Sequence, residues 1–288
     1  MWNFNRSAHG AFAKKVALAA LAKDAKRDIT SEGCIAKGAR CIGKIVAKSN
    51  FVLCGILEAD AIFASRKVKA KWNFSEGARV RQGEAICRIS GNCRSVLACE
   101  RVALNYLSLL SGIATKSTDA SARYGKWKIS ATRKTLPMLS DSEKRAVRVG
   151  GCLTHRMDLS DGILIKDNHL AAIMKEKKTT RARAVEIAAR SFSKADFVEV
   201  EVSSVAEAVA AAKAGAKAIL VDNVSPSELR KIVNAARKLN GRIVIEASGG
   251  ITLANAGIYL KAGANFVSTS ELTMSIEPAD LSLEIDSF

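Results

Sequence analysis

The chain of 288 residues has little of several residue types, and each shortage excludes a class of protein. Three prolines and 48% hydrophobic residues do not match a disordered or fibrous chain. No apolar run approaches the roughly 18 residues that a membrane-spanning helix needs, so we expect no membrane contact. The apolar stretch 16–22 follows two lysines, as in a signal peptide. Because it is short and runs into charged residues, we interpret it as an amphipathic helix.

The seven cysteines form no C-x-x-C pair, and no histidine stands at the spacing of a zinc finger. An odd number of cysteines without a framework indicates reduced, structural thiols. We therefore expect a cytoplasmic protein without a structural zinc site or a disulfide scaffold.

The formal net charge is +17 at pH 7, which a nucleic-acid-binding protein could use on phosphates. However, the basic residues are spread along the whole chain, and aromatic residues make up only 5% of it, so few side chains could stack on bases. We expect no nucleic-acid partner and interpret most of the charge as a surface property. A basic nucleic-acid-binding protein remains an alternative.

The C-terminal half alternates short β-rich runs with alanine-rich helical stretches, which predicts a parallel sheet covered by helices. The predicted strands are 127–132, 162–166, 197–202, 218–222, 242–247 and 265–270. Gly215 and Gly263 fit the C-terminal ends of helices, and Ser225 followed by Pro226 fits the start of one. Residues 1–110 contain shorter segments punctuated by glycines, which suggest hairpins on a mixed sheet.

Charged and glycine residues follow the predicted strands at their C-terminal ends, where a βα barrel builds its active site. They form three groups with different chemistry. The backbone amides of Ser248, Gly249 and Gly250 suit a phosphate, the carboxylates of Glu201 and Asp222 suit Mg²⁺ carried by a pyrophosphate, and the cations suit an anionic ligand. These cations are Arg133, Lys134, Arg156 and Lys166, close in sequence to His155 and His169.

Several motifs occur in an order that resembles the quinolinate phosphoribosyltransferase family, over roughly residues 28–285. They are E-R-V-A-L-N (100–105), T-R-K-T (132–135), H-R-M (155–157), D-G-I-L-I-K-D-N-H (161–169), E-V-E-V (199–202), L-V-D-N (220–223) and E-A-S-G-G-I-T (246–252). The resemblance implies an N-terminal α/β sandwich domain, residues 1–108, and an incomplete βα barrel with parallel strands, residues 109–271. The tail 272–288 is expected to return to the first domain.

The resemblance also implies a reaction that joins quinolinate and phosphoribosyl pyrophosphate into nicotinate mononucleotide, CO₂ and pyrophosphate, with Mg²⁺. By similarity, Lys134, Lys166, Glu201 and Asp222 are catalytic. Arg133, Arg156 and Lys166 contact the substrate carboxylates, with His155 and Lys134 beside them, and Glu201 and Asp222 bind Mg²⁺ and the ribose or pyrophosphate. Ser248, Gly249 and Gly250 bind the 5′-phosphate, Thr132 and Ser270 complete the substrate site, and Arg101 reaches in from the partner subunit of a homodimer or higher oligomer.

Some positions depart from the family pattern. Ser270 and Glu271 stand where a glycine and an alanine are usual, so an acidic side chain lies near the expected phosphate site. Another alternative has the same fold, because a molybdenum-transport-associated homologue keeps T-R-K-T and H-R but usually lacks I-K-D-N-H. The presence of Lys166, Asp167 and His169 favours the quinolinate enzyme.

Overall fold

The structure is a computed structural model that describes residues 10–192 and 197–288. Its helices are α1 (Gly10–Asp24), α2 (Ile29–Cys34), α3 (Ile56–Ser65), α4 (Cys93–Tyr124), α5 (Ser140–Val149), α6 (Asp167–Lys177), α7 (Arg181–Ser191), α8 (Val205–Lys213), α9 (Pro226–Leu239), α10 (Ala256–Ala262) and α11 (Glu271–Met274). Its strands are β1 (Arg40–Ala47), β2 (Phe51–Val52), β3 (Lys69–Trp72), β4 (Arg79–Val80), β5 (Ala85–Asn92), β6 (Ile129–Ser130), β7 (Ile163–Ile165), β8 (Val198–Val202), β9 (Ala218–Asp222), β10 (Val244–Ser248), β11 (Phe266–Ser268) and β12 (Leu281–Ser287).

Contacts divide the described chain into two compact units. The N-terminal unit holds residues 10–123, 134–154 and 272–288, and the parallel-sheet unit holds residues 124–133 and 155–271 apart from 193–196. These units do not follow the predicted division at 108/109, partly because α4 runs as one helix through that position. The division into domains therefore stays a prediction from the sequence.

The N-terminal unit is built on a four-stranded antiparallel sheet in the order β12-β1-β5-β3. The C-terminal strand β12 thus lies beside β1. Residues 75–91, one of the glycine-punctuated stretches for which hairpins were expected, do not form one, since β4 pairs with β2 while β5 pairs with β1 and β3. A turn does connect β4 and β5: the Glu84 N–H donates to the Arg81 carbonyl at 3.1 Å, and the Glu84 carboxylate accepts the Arg81 N–H at 2.8 Å.

The parallel-sheet unit contains six strands in the order β6-β11-β10-β9-β8-β7, and every neighbouring pair is parallel. All six strands predicted for the C-terminal half are present in this one sheet. Every residue of β8 and the first four residues of β9 are buried, as expected for strands covered on both faces. The predicted α/β class, with parallel strands in the C-terminal part, is confirmed.

Helix ends in the parallel-sheet unit follow the predicted signals. The side chain of Ser225 accepts the N–H of Glu228, and Pro226 opens α9 at its first position. Gly215 and Gly263 follow α8 and α10 with φ of 90° and 117°, the left-handed conformation that glycine adopts without steric cost. The turns therefore bring each following strand back into the sheet at the expected residue.

One helix in the described part of the chain, α4, is long and apolar enough to cross a membrane by length and composition alone. Most of its apolar stretch is buried inside the protein, and the core helix of a water-soluble protein meets the same criterion. The cysteines are all free and all but Cys34 are buried. Burial raises the pKa of the Cys87 and Cys152 thiols to about 12, so the reactive thiolate is scarce at neutral pH.

Candidate active site

The C-terminal edge of the parallel sheet carries the predicted acidic residues. Asp222 ends β9 and lies opposite Ser248, the last residue of β10, in the register of the sheet. Glu201 lies on the neighbouring strand β8, one residue before its end, and is largely buried. Because parallel strands end on one side of a sheet, Glu201, Asp222 and Ser248 share one edge, as the sequence predicts.

The glycine turn after β10 is packed against the residue that follows β9. Gly249 has a φ of 83°, and a Cβ built on it would lie 2.4 Å from the side-chain oxygen of Asn223. Asn223 itself has a φ of 54° and donates its backbone N–H to the carbonyl of Ser248 at 3.1 Å. Its side-chain amide donates to the Asp222 carboxylate at 2.7 Å. Asn223, which we did not predict, therefore couples the phosphate turn to the acidic residue beside it.

Lys166 approaches the acidic edge from the neighbouring strand. It follows β7, and its Nζ lies 3.5 Å from the Glu201 carboxylate, while the side chain stays about half exposed. The backbone N–H of Lys166 donates to Nδ1 of His169 at 2.9 Å, which is part of a capping arrangement at the start of α6. In I-K-D-N-H, the lysine therefore faces the acidic edge and the histidine caps the helix.

The other predicted cations in this unit have contrasting environments. Thr132 and Arg133 follow β6, with Thr132 half-buried and Arg133 exposed. Arg156 is 6% exposed, and one terminal nitrogen (Nη1) of its guanidinium donates to the carbonyl of Gly162 at 3.4 Å. Burial lowers the pKa of Arg156, and the positive charge of Arg133 lowers it further, while three nearby carboxylates partly oppose this shift: Glu199, Asp161 and Glu246. Two cations that repel one another in this way favour an anion placed between or beside them.

His155 lies in the interior of this unit rather than on its surface. Its Nε2 is 3.0 Å from the Glu246 carboxylate and 3.4 Å from that of Glu199, and all three side chains are buried. Burial opposes charge on this ring, whereas the carboxylates of Glu246 and Glu199 favour it. Burial and the neighbouring Glu246 raise the pKa of Glu199 to about 7.

We did not predict the two buried glutamates, although the sequence contains a signal for both. In V-E-V-E-V, Glu199 and Glu201 are two residues apart, so their side chains leave the strand on the same face. Glu246 is a charged residue inside an otherwise apolar strand, which is unusual unless the charge has a partner.

The last strand end of the sheet holds the two residues that depart from the family pattern. Ser270 is half-buried. The Glu271 carboxylate accepts the backbone N–H of Leu253 at 2.7 Å, and the Glu271 N–H donates to the side chain of Thr269. Thr269 in turn donates to the carbonyl of Ile251. Glu271 thus fixes the loop that follows the glycine turn.

Two predicted site residues, Arg101 and Lys134, belong to the N-terminal unit. Arg101 is exposed on α4, and Lys134 is exposed immediately after the T-R pair. The carbonyl of Lys134 accepts the hydroxyl of Thr273 at 2.7 Å, which anchors the backbone there. The described structure thus brings Lys166, Glu201, Asp222 and Ser248 to one sheet edge and leaves the roles of Arg101 and Lys134 as predictions.

Glu201 and Asp222 fit Mg²⁺ as a partial ligand set. Both offer carboxylate oxygens at the sheet edge, which Mg²⁺ prefers to nitrogen or sulfur ligands. Each carboxylate also accepts a hydrogen bond from a neighbouring residue: Glu201 from the backbone N–H of Asp167 at 3.4 Å, and Asp222 from the side-chain amide of Asn223. Two carboxylates do not form a closed cage, so they suit an ion that arrives with a pyrophosphate and keeps other ligands.

A parallel α/β sheet with cations, carboxylates and a glycine turn at its C-terminal edge defines the class of α/β proteins that bind a ligand outside the carboxyl ends of the strands. Two domain models of one protein family match this chain. The N-terminal domain of quinolinate phosphoribosyl transferase matches residues 28–111, and its C-terminal domain matches residues 113–284. The chain belongs to the quinolinate phosphoribosyltransferase family, which confirms the resemblance.

Three known proteins are similar to this chain over most of its length. The probable nicotinate-nucleotide pyrophosphorylase [carboxylating] of Methanothermobacter thermautotrophicus is 37% identical over 265 residues, 90% of this chain and 93% of that protein. The human nicotinate-nucleotide pyrophosphorylase [carboxylating] is 37% identical over 246 residues, 83% of this chain and 80% of its own. The nicotinate-nucleotide pyrophosphorylase structure from Francisella tularensis has a TM-score of 0.84 and 30% identity, covering 98% and 99% of the two chains.

Proposed function

We propose that this protein is a quinolinate phosphoribosyltransferase that serves NAD biosynthesis, releasing nicotinate mononucleotide, CO₂ and pyrophosphate. Family membership and the names of the relatives support the activity. One observation of the site carries the proposal furthest: Lys166 lies 3.5 Å from Glu201 at the edge that also bears Asp222 and the glycine turn. A cation and an acidic edge in contact suit a reaction that joins a dicarboxylate to a sugar phosphate.

The dicarboxylate is assigned to the cations. Arg133 and Arg156 repel one another electrostatically, so a doubly charged anion relieves an existing repulsion when it binds. The planar guanidinium groups suit bidentate contacts with carboxylates, and Lys166 adds a point charge. We assign Lys134 and Thr132 to substrate binding as well.

The phosphoribosyl group is assigned to the other part of the edge. The amides of Ser248, Gly249 and Gly250 would bind the 5′-phosphate, and Ser270 would complete that site. Glu201 and Asp222 would hold Mg²⁺ together with the pyrophosphate. When bound there, Mg²⁺ supplies positive charge that stabilises the departing pyrophosphate.

The chemistry follows from the placement of charge. As the bond from ribose to pyrophosphate breaks, positive charge grows on the sugar, and the carboxylates of Glu201 and Asp222 stabilise it. The pyridine nitrogen then forms the new bond to the sugar. The ring becomes cationic, so the bond to the adjacent carboxylate can break with its electron pair left on the ring carbon. The carboxylate departs as CO₂, and a proton from water takes its place on that carbon. Lys166 and the arginines hold the dicarboxylate in its ionised form throughout.

The assembly and location of the protein are also proposals. The exposed position of Arg101 on α4 suits a residue that reaches the site of a partner subunit in a homodimer. We place the enzyme in the cytoplasm, since its cysteines are free and mostly buried. The molybdenum-transport-associated homologue and a nucleic-acid-binding protein are not favoured, because the relatives are named for the quinolinate reaction.

Substitution of Lys166 by alanine tests the site. We expect turnover to fall about 10²–10³-fold, the usual cost of one preorganised electrostatic contact. Circular dichroism should be unchanged, because the side chain is half exposed. Lys177→Ala, at the C-terminal end of α6 and paired with Glu176 at the surface, is the matched control and should keep full activity. Near-normal turnover in Lys166→Ala would remove this lysine from the site.

A further inference from the structure

The buried group formed by His155, Glu199 and Glu246 is not explained by substrate binding. His155 is 7% exposed, Glu246 1% and Glu199 not at all. Glu199 and Glu246 come from strands β8 and β10 and meet the ring of His155 at the same nitrogen, Nε2. Neither carboxylate oxygen of Glu199 has a hydrogen bond of good geometry, and burial beside Glu246 raises the pKa of this carboxyl to about 7, which favours its neutral form.

The other ring nitrogen is also engaged by the protein. Nδ1 of His155 accepts the backbone N–H of Arg156 at 2.7 Å. His155 has a φ of 53°, a left-handed conformation that is uncommon for residues other than glycine and needs support from its surroundings. The contacts at the two nitrogens provide that support, and they set the direction in which the chain leaves His155 toward Arg156.

Hydrogen bonding and charge favour different protonation states of this ring. The carboxylates of Glu199 and Glu246 favour the charged imidazolium, whereas the Arg156 amide needs a lone pair on Nδ1. Only the neutral ring with its proton on Nε2 satisfies the amide and donates to Glu246 at the same time. We infer that the hydrogen bond from the Arg156 N–H determines the protonation state of the ring. The donor is the adjacent backbone amide, which cannot move away from Nδ1 without changing the backbone conformation of His155.

We propose that His155 is a positioning residue for Arg156, held in one tautomer by Glu199 and Glu246, and acts on the substrate only through that arginine. The inference rests on the proposed function for the identity of the substrate. In this arrangement the two glutamates fix the orientation of a carboxylate-binding arginine. His155, which the resemblance places beside the carboxylate-binding residues, then supports Arg156 rather than the substrate itself. The mechanism resembles that of metal-binding histidines, whose second nitrogen is fixed by a carboxylate.

The charged groups around the ring come from several elements. Arg156 and Asp161 follow His155 in the chain, and Asp161 accepts the backbone N–H of Met157 at 2.9 Å. Arg133 after β6 acts on Arg156 electrostatically. Ser268 on β11 hydrogen-bonds with Glu246 and helps to keep that carboxylate ionised. The test must therefore observe the ring itself rather than a pH profile of activity alone.

Nitrogen-15 NMR of histidine-labelled protein observes the ring directly and does not depend on activity. The chain has only three histidines, so a His155→Asn variant assigns the signal, and asparagine tolerates the left-handed backbone. We expect one unprotonated Nδ1 and one protonated Nε2 from pH 6 to pH 8, and averaging of the two tautomers in Glu246→Gln. A ring protonated at both nitrogens at pH 7 would overturn the proposal.

Steady-state kinetics of a Glu246 variant distinguishes the positioning role of His155 from a general structural effect. In Glu246→Gln we expect KM for quinolinate to rise about tenfold, the cost of roughly one hydrogen bond, with KM for phosphoribosyl pyrophosphate changed less than twofold. Glu207→Gln, another buried glutamate of the same unit that lies at the start of α8, should leave both constants unchanged. Equal effects on both KM values in Glu246→Gln would contradict the positioning role.

Two further outcomes are distinguishable. If the wild-type protein does not turn over quinolinate, the proposed function fails, yet the NMR arm still reports whether the ring is held as proposed. The three side chains could also hold a metal ion, since their ligand atoms lie within 4.8 Å of one another. One equivalent of tightly bound metal in the wild type that is lost in Glu246→Gln would overturn the hydrogen-bonded arrangement.

Discussion

Glu143 should make the stability of this protein depend on pH in a direction opposite to that of most carboxylates. Its side chain is fully buried on α5, and its carboxylate accepts the backbone N–H of Leu136, in the loop that follows Lys134. Burial raises the pKa of Glu143 from 4.5 to about 7, and the Leu136 hydrogen bond only partly opposes this. The folded protein therefore holds a proton here that the unfolded chain has already released.

The size and sign of the effect follow from this difference in pKa. Below pH 4.5 the carboxyl is protonated in both states, so it has no effect on the pH dependence. Between pH 4.5 and pH 7 the unfolded chain ionises first, so stability falls as the pH rises, and above pH 7 the full cost is present. A change in pKa from 4.5 to about 7 corresponds to a loss of about 3 kcal/mol.

Glu143→Gln removes the titration and keeps an oxygen that can accept the Leu136 N–H. Urea unfolding of wild type and variant at a series of pH values measures the effect as a difference, which cancels the other titrating groups. The variant should gain about 3 kcal/mol relative to the wild type between pH 4.5 and pH 8. Glu277→Gln, an exposed glutamate of the same unit, should show no such trend. A difference between Glu143→Gln and wild type that does not change with pH would refute the reasoning.

Two other substitutions test the site and the core. Gly249→Ala should raise KM for phosphoribosyl pyrophosphate at least about tenfold, because its Cβ would lie 2.5 Å from the backbone nitrogen of Asn223 and φ is 83°; steady-state kinetics checks this. Gly241→Ala, where a Cβ meets only one atom at 3.9 Å, is the control and should leave KM unchanged. Arg145→Ala should lower the free energy of unfolding by about 3–5 kcal/mol, since Glu58 stays buried without its ion-pair partner; a loss below about 1 kcal/mol in urea unfolding would contradict this.

Sequence patterns predicted the parallel-sheet unit because each of its strands and helices is marked by a short, continuous stretch of sequence. Each strand is a short apolar run, and each helix between them carries its own start and stop signals, as at Ser225 and Gly263. The polar residues at strand ends could be assigned to one edge because parallel strands all end on the same side. The sequence alone therefore predicts that Glu201, Asp222 and Ser248 lie together.

The antiparallel sheet could not be predicted in the same way. Strand β1 pairs with β5 and with β12, and Gly43 lies opposite Ile285, more than two hundred residues along the chain. Such pairing depends on which apolar faces meet after the chain has collapsed, so no local signal selects it. The glycines near residues 77 and 83 suggested hairpins. Gly83 does lie in a turn, but the strands on its two sides, β4 and β5, pair with other strands.

The roles of individual site residues also depended on the three-dimensional structure. The type of residue indicated a cation at His155, but its left-handed backbone and its hydrogen bond to Arg156 cannot be inferred from composition. Glu271 suggested a repulsive charge near a phosphate, whereas in the structure it accepts the Leu253 N–H and fixes the neighbouring loop. In both cases, the partner that defines the role is a backbone amide, which leaves no trace in a pattern of side chains.

We propose that this chain transfers a phosphoribosyl group to quinolinate and removes one carboxylate. The decisive measurement is to incubate the purified protein with quinolinate, phosphoribosyl pyrophosphate and Mg²⁺ and to quantify all three products. We expect nicotinate mononucleotide, CO₂ and pyrophosphate in equal amounts. No nicotinate mononucleotide at saturating substrates, or pyrophosphate released without CO₂, would contradict it.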